Sequence, residues 1–255
     1  MRSLRAATTA AVVGAATYEL LRRRPPGGDV RWRRTNYRGA QPSLVAGPAV
    51  MLAAAVGSLS PPAAGLTVVC GALGLYDDLV GDSHARGLRG HLAALRERRV
   101  TTGMVKLAGL VTAGALTSLA ERRRPAELPI DTLLVAGTAN LVNLFDLRPG
   151  RALKVVVLAS VPLVPRNASA GAAIGAAAAL LPADLAEDAM IGDCGANALG
   201  ALLGWTLAHA LGSRGRVAAL SGVVALTLAS ERVSFTDVIA RHRWLAAIDG
   251  LGRRQ

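Results

Sequence analysis

The chain has 255 residues, 52% hydrophobic and 18% charged, with a formal net charge of +12 at pH 7. So apolar a composition excludes intrinsic disorder, and two cysteines, Cys70 and Cys194, give no disulfide framework. Aromatic residues are only 3%, so the apolar mass is Ala, Leu, Val and Gly, small side chains that let helix backbones approach closely.

Apolar runs alternate with charged clusters at 6–21, 43–59, 63–76, 104–120, 128–145, 152–164, 168–185, 196–211 and 217–229. Several are shorter than the ~20 residues that span a bilayer. A signal peptide over 1–16 is the weaker reading, because the runs that follow are equally apolar; 6–21 reads as a first membrane helix. With 22–41 placed in the cytoplasm and sides alternating from there, 21 of the 29 Lys and Arg residues fall inside and 8 outside. Residues 122–124, all arginine, are the conspicuous exception. This positive-inside bias, rather than nucleic-acid binding, explains the net charge. The expected fold is all-α: a polytopic integral membrane helix bundle of about nine to ten transmembrane helices. It forms a single membrane domain over 1–255, in the plasma membrane with its active face cytoplasmic. Cytoplasmic loops are expected near 22–42, 77–103, 146–151 and 183–195, with a cytoplasmic tail at 232–255. No nucleic-acid partner is expected.

The same orientation gathers three polar clusters on one face. Asp77, Asp78 and Asp82 close an apolar run, where ionisable groups are costly to desolvate and so suggest a site. Adjacent carboxylates repel unless a cation sits near them; the bland alternative is a solvated turn. Asn140, Asn143 and Asp146 recur every three residues, roughly on one helical face. They suit a sugar, a nucleotide or hydrated Mg²⁺, or else interhelical hydrogen bonding. Gly192-Asp193-Cys194-Gly195 is a carboxylate-bearing turn feeding a helix, read either as a ligand loop or as a simple N-cap. Cys194 needs only to be small, and Cys70 packs within its helix. Arg86, Arg89, Arg96, Arg98, Arg99, Lys106, Arg148, Arg151 and Lys154 crowd the same face. Carboxylates beside cations suit a metal-bound diphosphate, although most of these arginines serve the topology signal.

In order and topology the three clusters resemble those of the polyprenyl-phosphate N-acetylhexosamine-1-phosphate transferases, glycosyltransferase group 4, which include phospho-N-acetylmuramoyl-pentapeptide translocase. Arg34-Thr-Asn36-Tyr-Arg38-Gly39 looks like that family's first cytoplasmic loop. Gly87-Leu-Arg-Gly90-His91 and Thr101-Thr102-Gly103-Met-Val-Lys106-Leu107 look like its second. The resemblance covers about 30–253. It implies an Mg²⁺-dependent phosphoglycosyl transferase, with Mn²⁺ as the alternative ion. Such an enzyme moves a sugar 1-phosphate from a UDP-sugar to polyprenyl phosphate in cell-envelope glycan synthesis, releasing UMP. By resemblance Asp193 is the principal metal ligand, aided by Asp78, and Asp77 and Asp78 are catalytic, positioning or deprotonating the lipid phosphate. Asn36, Arg38, Lys106, Asn140, Asn143, Asp146, Arg148 and His242 are the substrate-binding residues it implies, and a homodimer is compatible with it. A weakened member that binds without turnover and an unrelated transporter are the rival readings. Where the family's second motif continues Asp-Gly-x-Asp-Gly, this chain reads Asp146-Leu147-Arg148-Pro149-Gly150. Proline disfavours helix at Arg148, so the helix is expected to end by Leu147, freeing Arg148 to meet a diphosphate directly. Arg241-His242-Arg243 stands where the muramoyl-pentapeptide branch carries a histidine cluster.

Overall fold

A computed structural model describes residues 1–81, 90, 94 and 96–253. Eleven α-helices are defined among the described residues: α1 (Arg2–Arg23), α2 (Ala46–Gly57), α3 (Pro61–Val80), α4 (Thr102–Ala120), α5 (Leu128–Phe145), α6 (Arg151–Ser160), α7 (Ala168–Leu185), α8 (Gly192–Ala210), α9 (Ser213–Ser230), α10 (Phe235–Arg241) and α11 (Arg243–Gly250). Their starts follow local chemistry. Proline opens α3 and α5, where its missing N–H costs nothing. Thr101 accepts from the Met104 amide at 3.2 Å, and Asn167 accepts from the Ser169 amide at 2.9 Å, capping α4 and α7.

The bundle is built around α8, most of whose 19 residues are buried, packed among α2, α3 and α5. Small residues make this contact possible. A Cβ on Gly200 would lie 2.6 Å from the Ala139 Cα, and one on Gly204 would lie 2.6 Å from the Leu134 carbonyl oxygen. On the other side α1 lies against α7 and α2, with Gly171 and Gly175 of α7 meeting the Ser3 and Ala7 backbone. Leucines fill the space that glycine and alanine leave, notably Leu110, Leu134, Leu153, Leu180, Leu199 and Leu202.

The all-α class stands, but the expected nine to ten transmembrane helices do not. Among the described residues four helices are long and apolar enough to cross a membrane: α3, α4, α5 and α7. The number is five if α9 and α10, bent by 97° at their junction, are taken as one span. The apolar run at 43–59 yields only the 12-residue α2, about 18 Å long against a hydrocarbon core of about 30 Å. The run at 152–164 yields the 10-residue α6 followed by a 3-10 turn at Val161–Leu163. In α8 the apolar surface faces other helices, and Asp193, Asn197, Thr206 and His209 interrupt it. The inside–outside partition of basic residues counted nine crossings. With four or five it no longer fixes which side each loop occupies, and the multi-pass plasma-membrane placement with a cytoplasmic active face is corrected with it.

At one end of the bundle the chain between α1 and α2 folds back over the helix ends. The Leu44 amide donates to the Trp32 carbonyl (2.8 Å), the Arg34 amide to the Pro42 carbonyl (3.2 Å), and the Met190 amide to the Ser43 carbonyl (3.0 Å). Trp32 is buried, and its indole N–H donates to the Pro26 carbonyl at 2.8 Å. These bonds hold residues 33–43 beside the α7–α8 connection.

Candidate functional site

The carboxylates that end α3 meet the start of α8. Asp78 accepts from two backbone amides of the α8 first turn, Asp193 at 3.1 Å and Cys194 at 2.9 Å. The helix α8 has no side-chain cap from its own segment, so a carboxylate from another helix satisfies its orphan amides and its positive dipole end. Gly192 makes room for this. It has φ of +56°, and a Cβ there would lie 2.9 Å from Asp78 Oδ2 and 2.6 Å from Leu44 Cδ2. Gly74, one turn before Asp78, faces the Asp193 backbone directly.

Asp77 points the other way, to Lys106 of α4, whose Nζ lies 2.7 Å from Asp77 Oδ2. The same ammonium donates to Asp193 Oδ2. Lys106 is buried, so the cation that Asp77 and Asp193 require comes from the chain itself. Burial pushes the Asp193 carboxyl up, against the pull of Lys106 and with Asp77 adding to the rise. Asp146, the residue that closes α5, sits near enough to this group to feel it. Its carboxyl is raised well above the usual range, first by burial and then by Asp184, Asp193 and Asp78, while the Gly192 amide works against the rise.

Asp146 also lines a cleft of about 540 Å³ with Asn36, Tyr37, Arg148, Asp184 and Glu187 among its walls. The acids around it are engaged. Glu187 accepts from the Asn36 amide group and from Arg38 at 3.1 Å, and Asp184 accepts from the Gly150 amide at 2.6 Å. Arg148 lies over the Tyr37 ring with its guanidinium carbon 3.6 Å from the centroid. Its Nη1 is buried without a hydrogen-bond partner. α5 ends at Phe145, before Leu147, and Gly150 at φ +71° turns the chain into α6.

Asp77, Asp78, Lys106, Asp193 and Asp146 therefore come together, with Asn36, Arg38 and Arg148 around the adjoining cleft. Asn140 and Asn143 are half-buried on α5, two turns and one turn before Asp146, and do not line the cleft. His242 is exposed at the α10–α11 junction, its Nδ1 2.8 Å from the Val238 carbonyl, and stays outside the cleft. Asp82, Arg86, Arg89 and His91 lie outside the described residues. Sequence reading passed over Asp184, Glu187 and Tyr37. A signal existed for Asp184, a carboxylate closing an apolar run just as Asp77 and Asp78 do.

No protein-family profile matches this chain, and neither does any curated protein. The resemblance to the phosphoglycosyl transferases is corrected by the architecture. Four helices among the described residues, or five with the bent pair, are long and apolar enough to cross a membrane, against that family's about ten. Among the described residues no group of three or more His, Cys, Asp and Glu side chains is arranged to hold a metal ion. Physically, Lys106 bridges Asp77 and Asp193, and backbone amides take both oxygens of Asp78. The Mg-dependent transfer of a sugar phosphate in a membrane glycosyltransferase, and the envelope-synthesis role attached to it, lose their support on both counts. The chain defines an all-α bundle with a lysine-bridged carboxylate cluster at one end and an arginine-bearing cleft beside it.

Proposed function

We propose that the protein binds a small phosphorylated ligand in the 540 Å³ cleft, with Arg148 as the anion anchor. One observation carries this reading: a guanidinium fixed against Tyr37, with a buried nitrogen that lacks a partner, among acids already paired. A buried donor left unpaired costs about 1–3 kcal/mol, a cost that a phosphate oxygen removes. Burial, with Asp184, Asp193 and Asp78, raises the Asp146 carboxyl and so lessens its repulsion of an anion, and the Asn36 loop supplies further polar edges. A nucleoside diphosphate sugar meets these demands, with a phosphate for Arg148 and hydroxyls for the carboxylates. Mg²⁺ or Mn²⁺ enters, on this reading, as the counter-ion of the ligand's phosphates, because Lys106 already serves the nearby aspartates.

Calorimetric titration of the full chain with UDP-N-acetylglucosamine and UMP, with and without Mg²⁺, tests it. Saturable binding should weaken roughly 10- to 150-fold in Arg148→Ala, the worth of a charged hydrogen bond. No saturable binding, or equal affinity in Arg148→Ala, overturns the reading.

A further inference from the structure

The opposite end of the bundle holds a second cavity, of about 610 Å³. Its walls include Arg2, Arg5 and Arg166, and none of its lining residues is an acid. The rest of the wall that matters is small and polar: Ser58, Ser60 and Ser169. The serine hydroxyls do not offset the charge. Ser58 Oγ donates to the Ala55 carbonyl at 2.7 Å, and Ser169 Oγ donates to the Ser58 carbonyl at 3.3 Å. Arg166 spends one nitrogen on the Pro162 carbonyl, a neutral acceptor, at 3.0 Å. Among the described residues no carboxylate pairs with any of the three guanidiniums.

The helices that reach this cavity add to the same sign. α1 and α7 begin at residues that line it, Arg2 and Ala168, and Ser60, which precedes α3, lines it too; each helix start carries about half a positive charge. The first turn of α1 has no side-chain cap, so its amides remain available to an acceptor. The three arginines that line the cavity are exposed, and an oxyanion with several acceptor oxygens supplies matched hydrogen-bond acceptors for their unpaired donors. We infer that this cavity is a binding site for a phosphate-bearing group of charge −2 or more. It is distinct from the Arg148 cleft, from which the 22-residue α1 separates it by about 30 Å. A free polyphosphate and a phospholipid headgroup present the same chemistry.

Pyrophosphate and a short-chain phosphatidic acid below its micelle concentration are the probes, titrated separately into the full chain at low and moderate salt. Trp205 lines the cavity, so its fluorescence reports occupancy, and Trp205→Phe identifies the signal. Saturable binding of either probe is expected, falling roughly tenfold in Arg5→Ala and again in Arg166→Ala, weakening with salt and unchanged in Arg148→Ala. Binding of phosphatidic acid alone assigns the site to a headgroup, and binding of pyrophosphate assigns it to a free anion. No saturable binding of either probe, or affinity unchanged in Arg5→Ala/Arg166→Ala while circular dichroism shows a native fold, overturns the inference. Because Arg148→Ala leaves this cavity intact, failure here and failure at the first cleft are separately readable.

Discussion

Lys106→Met is the most informative single perturbation of the carboxylate cluster. The substitution keeps a flexible apolar stem of similar length and removes the ammonium that lies 2.7 Å from Asp77 and also contacts Asp193. Lys106 is only 8% exposed, so water cannot replace what is lost. Breaking a buried ion pair by deleting one partner costs about 3–5 kcal/mol, because the surviving charge stays buried. For a chain of this size that corresponds to a melting temperature lower by roughly 6–20 °C. Thermal unfolding followed by circular dichroism at pH 7 reads the effect. The loss should shrink towards pH 4 and below, where the stranded carboxylates take up protons. Lys106→Met/Asp193→Asn should recover more than about 1 kcal/mol relative to the single variant, since the pair is in direct contact. A loss under about 1 kcal/mol, or a double variant no more stable than Lys106→Met, would refute the bridging role.

Asp146→Asn should flatten the pH dependence of stability. An acid whose folded pKa is raised costs stability as pH climbs from its unfolded value near about 3.9. The variant should therefore be more stable than the parent at pH 7 and alike below pH 4, read from urea midpoints; a steeper profile contradicts this. Asp249 behaves in the opposite sense. Burial alone would raise it, but hydrogen bonds from Arg151 and Arg253 outweigh burial and hold it low. Its contribution is full above the unfolded value and disappears as pH falls through the folded one. Asp249→Ala should cost about 3 kcal/mol at pH 7 and progressively less below pH 4, an absence of that acid-side convergence counting against the pair. Gly192→Ala forces a left-handed residue to carry a Cβ against Leu44 and Asp78. It should lower stability by about 1–3 kcal/mol, while Ala at the unobstructed Gly222 should not.

Much of the helical layout was legible because long Ala- and Leu-rich runs have few other solutions. The Asp77, Asp78, Asp146 and Asp193 grouping was legible because each carboxylate closes or opens such a run. The number of membrane crossings was not legible. A run such as 196–211 is equally apolar whether it faces lipid or other helices, and only packing shows that Gly200 and Gly204 bring α8 against α5. Nor did sequence show that Lys106 reaches both Asp77 and Asp193, since α4 and α8 are distant along the chain. The same holds for Tyr37 beneath Arg148, a contact that depends on how the 33–43 segment folds back. Charge order along a chain reports which residues are available, and the third dimension decides which of them neutralise one another.

The helix α8 is finished at both ends by parts of the chain outside it. Asp78 of α3 closes its first turn. At the other end Arg123, from the α4–α5 connection, donates to the Ala208 carbonyl at 2.9 Å. Nucleating a helix is unfavourable until partners compensate, and here those partners lie 85 and 115–116 residues away along the chain. The central rod should therefore be among the last elements to become helical, forming only once α3 and the α4–α5 hairpin are in place. An isolated 192–210 peptide should remain largely coil. In the intact protein the amide protons of α8 should exchange only through global unfolding, as one block, because nothing local can open it without releasing both clasps.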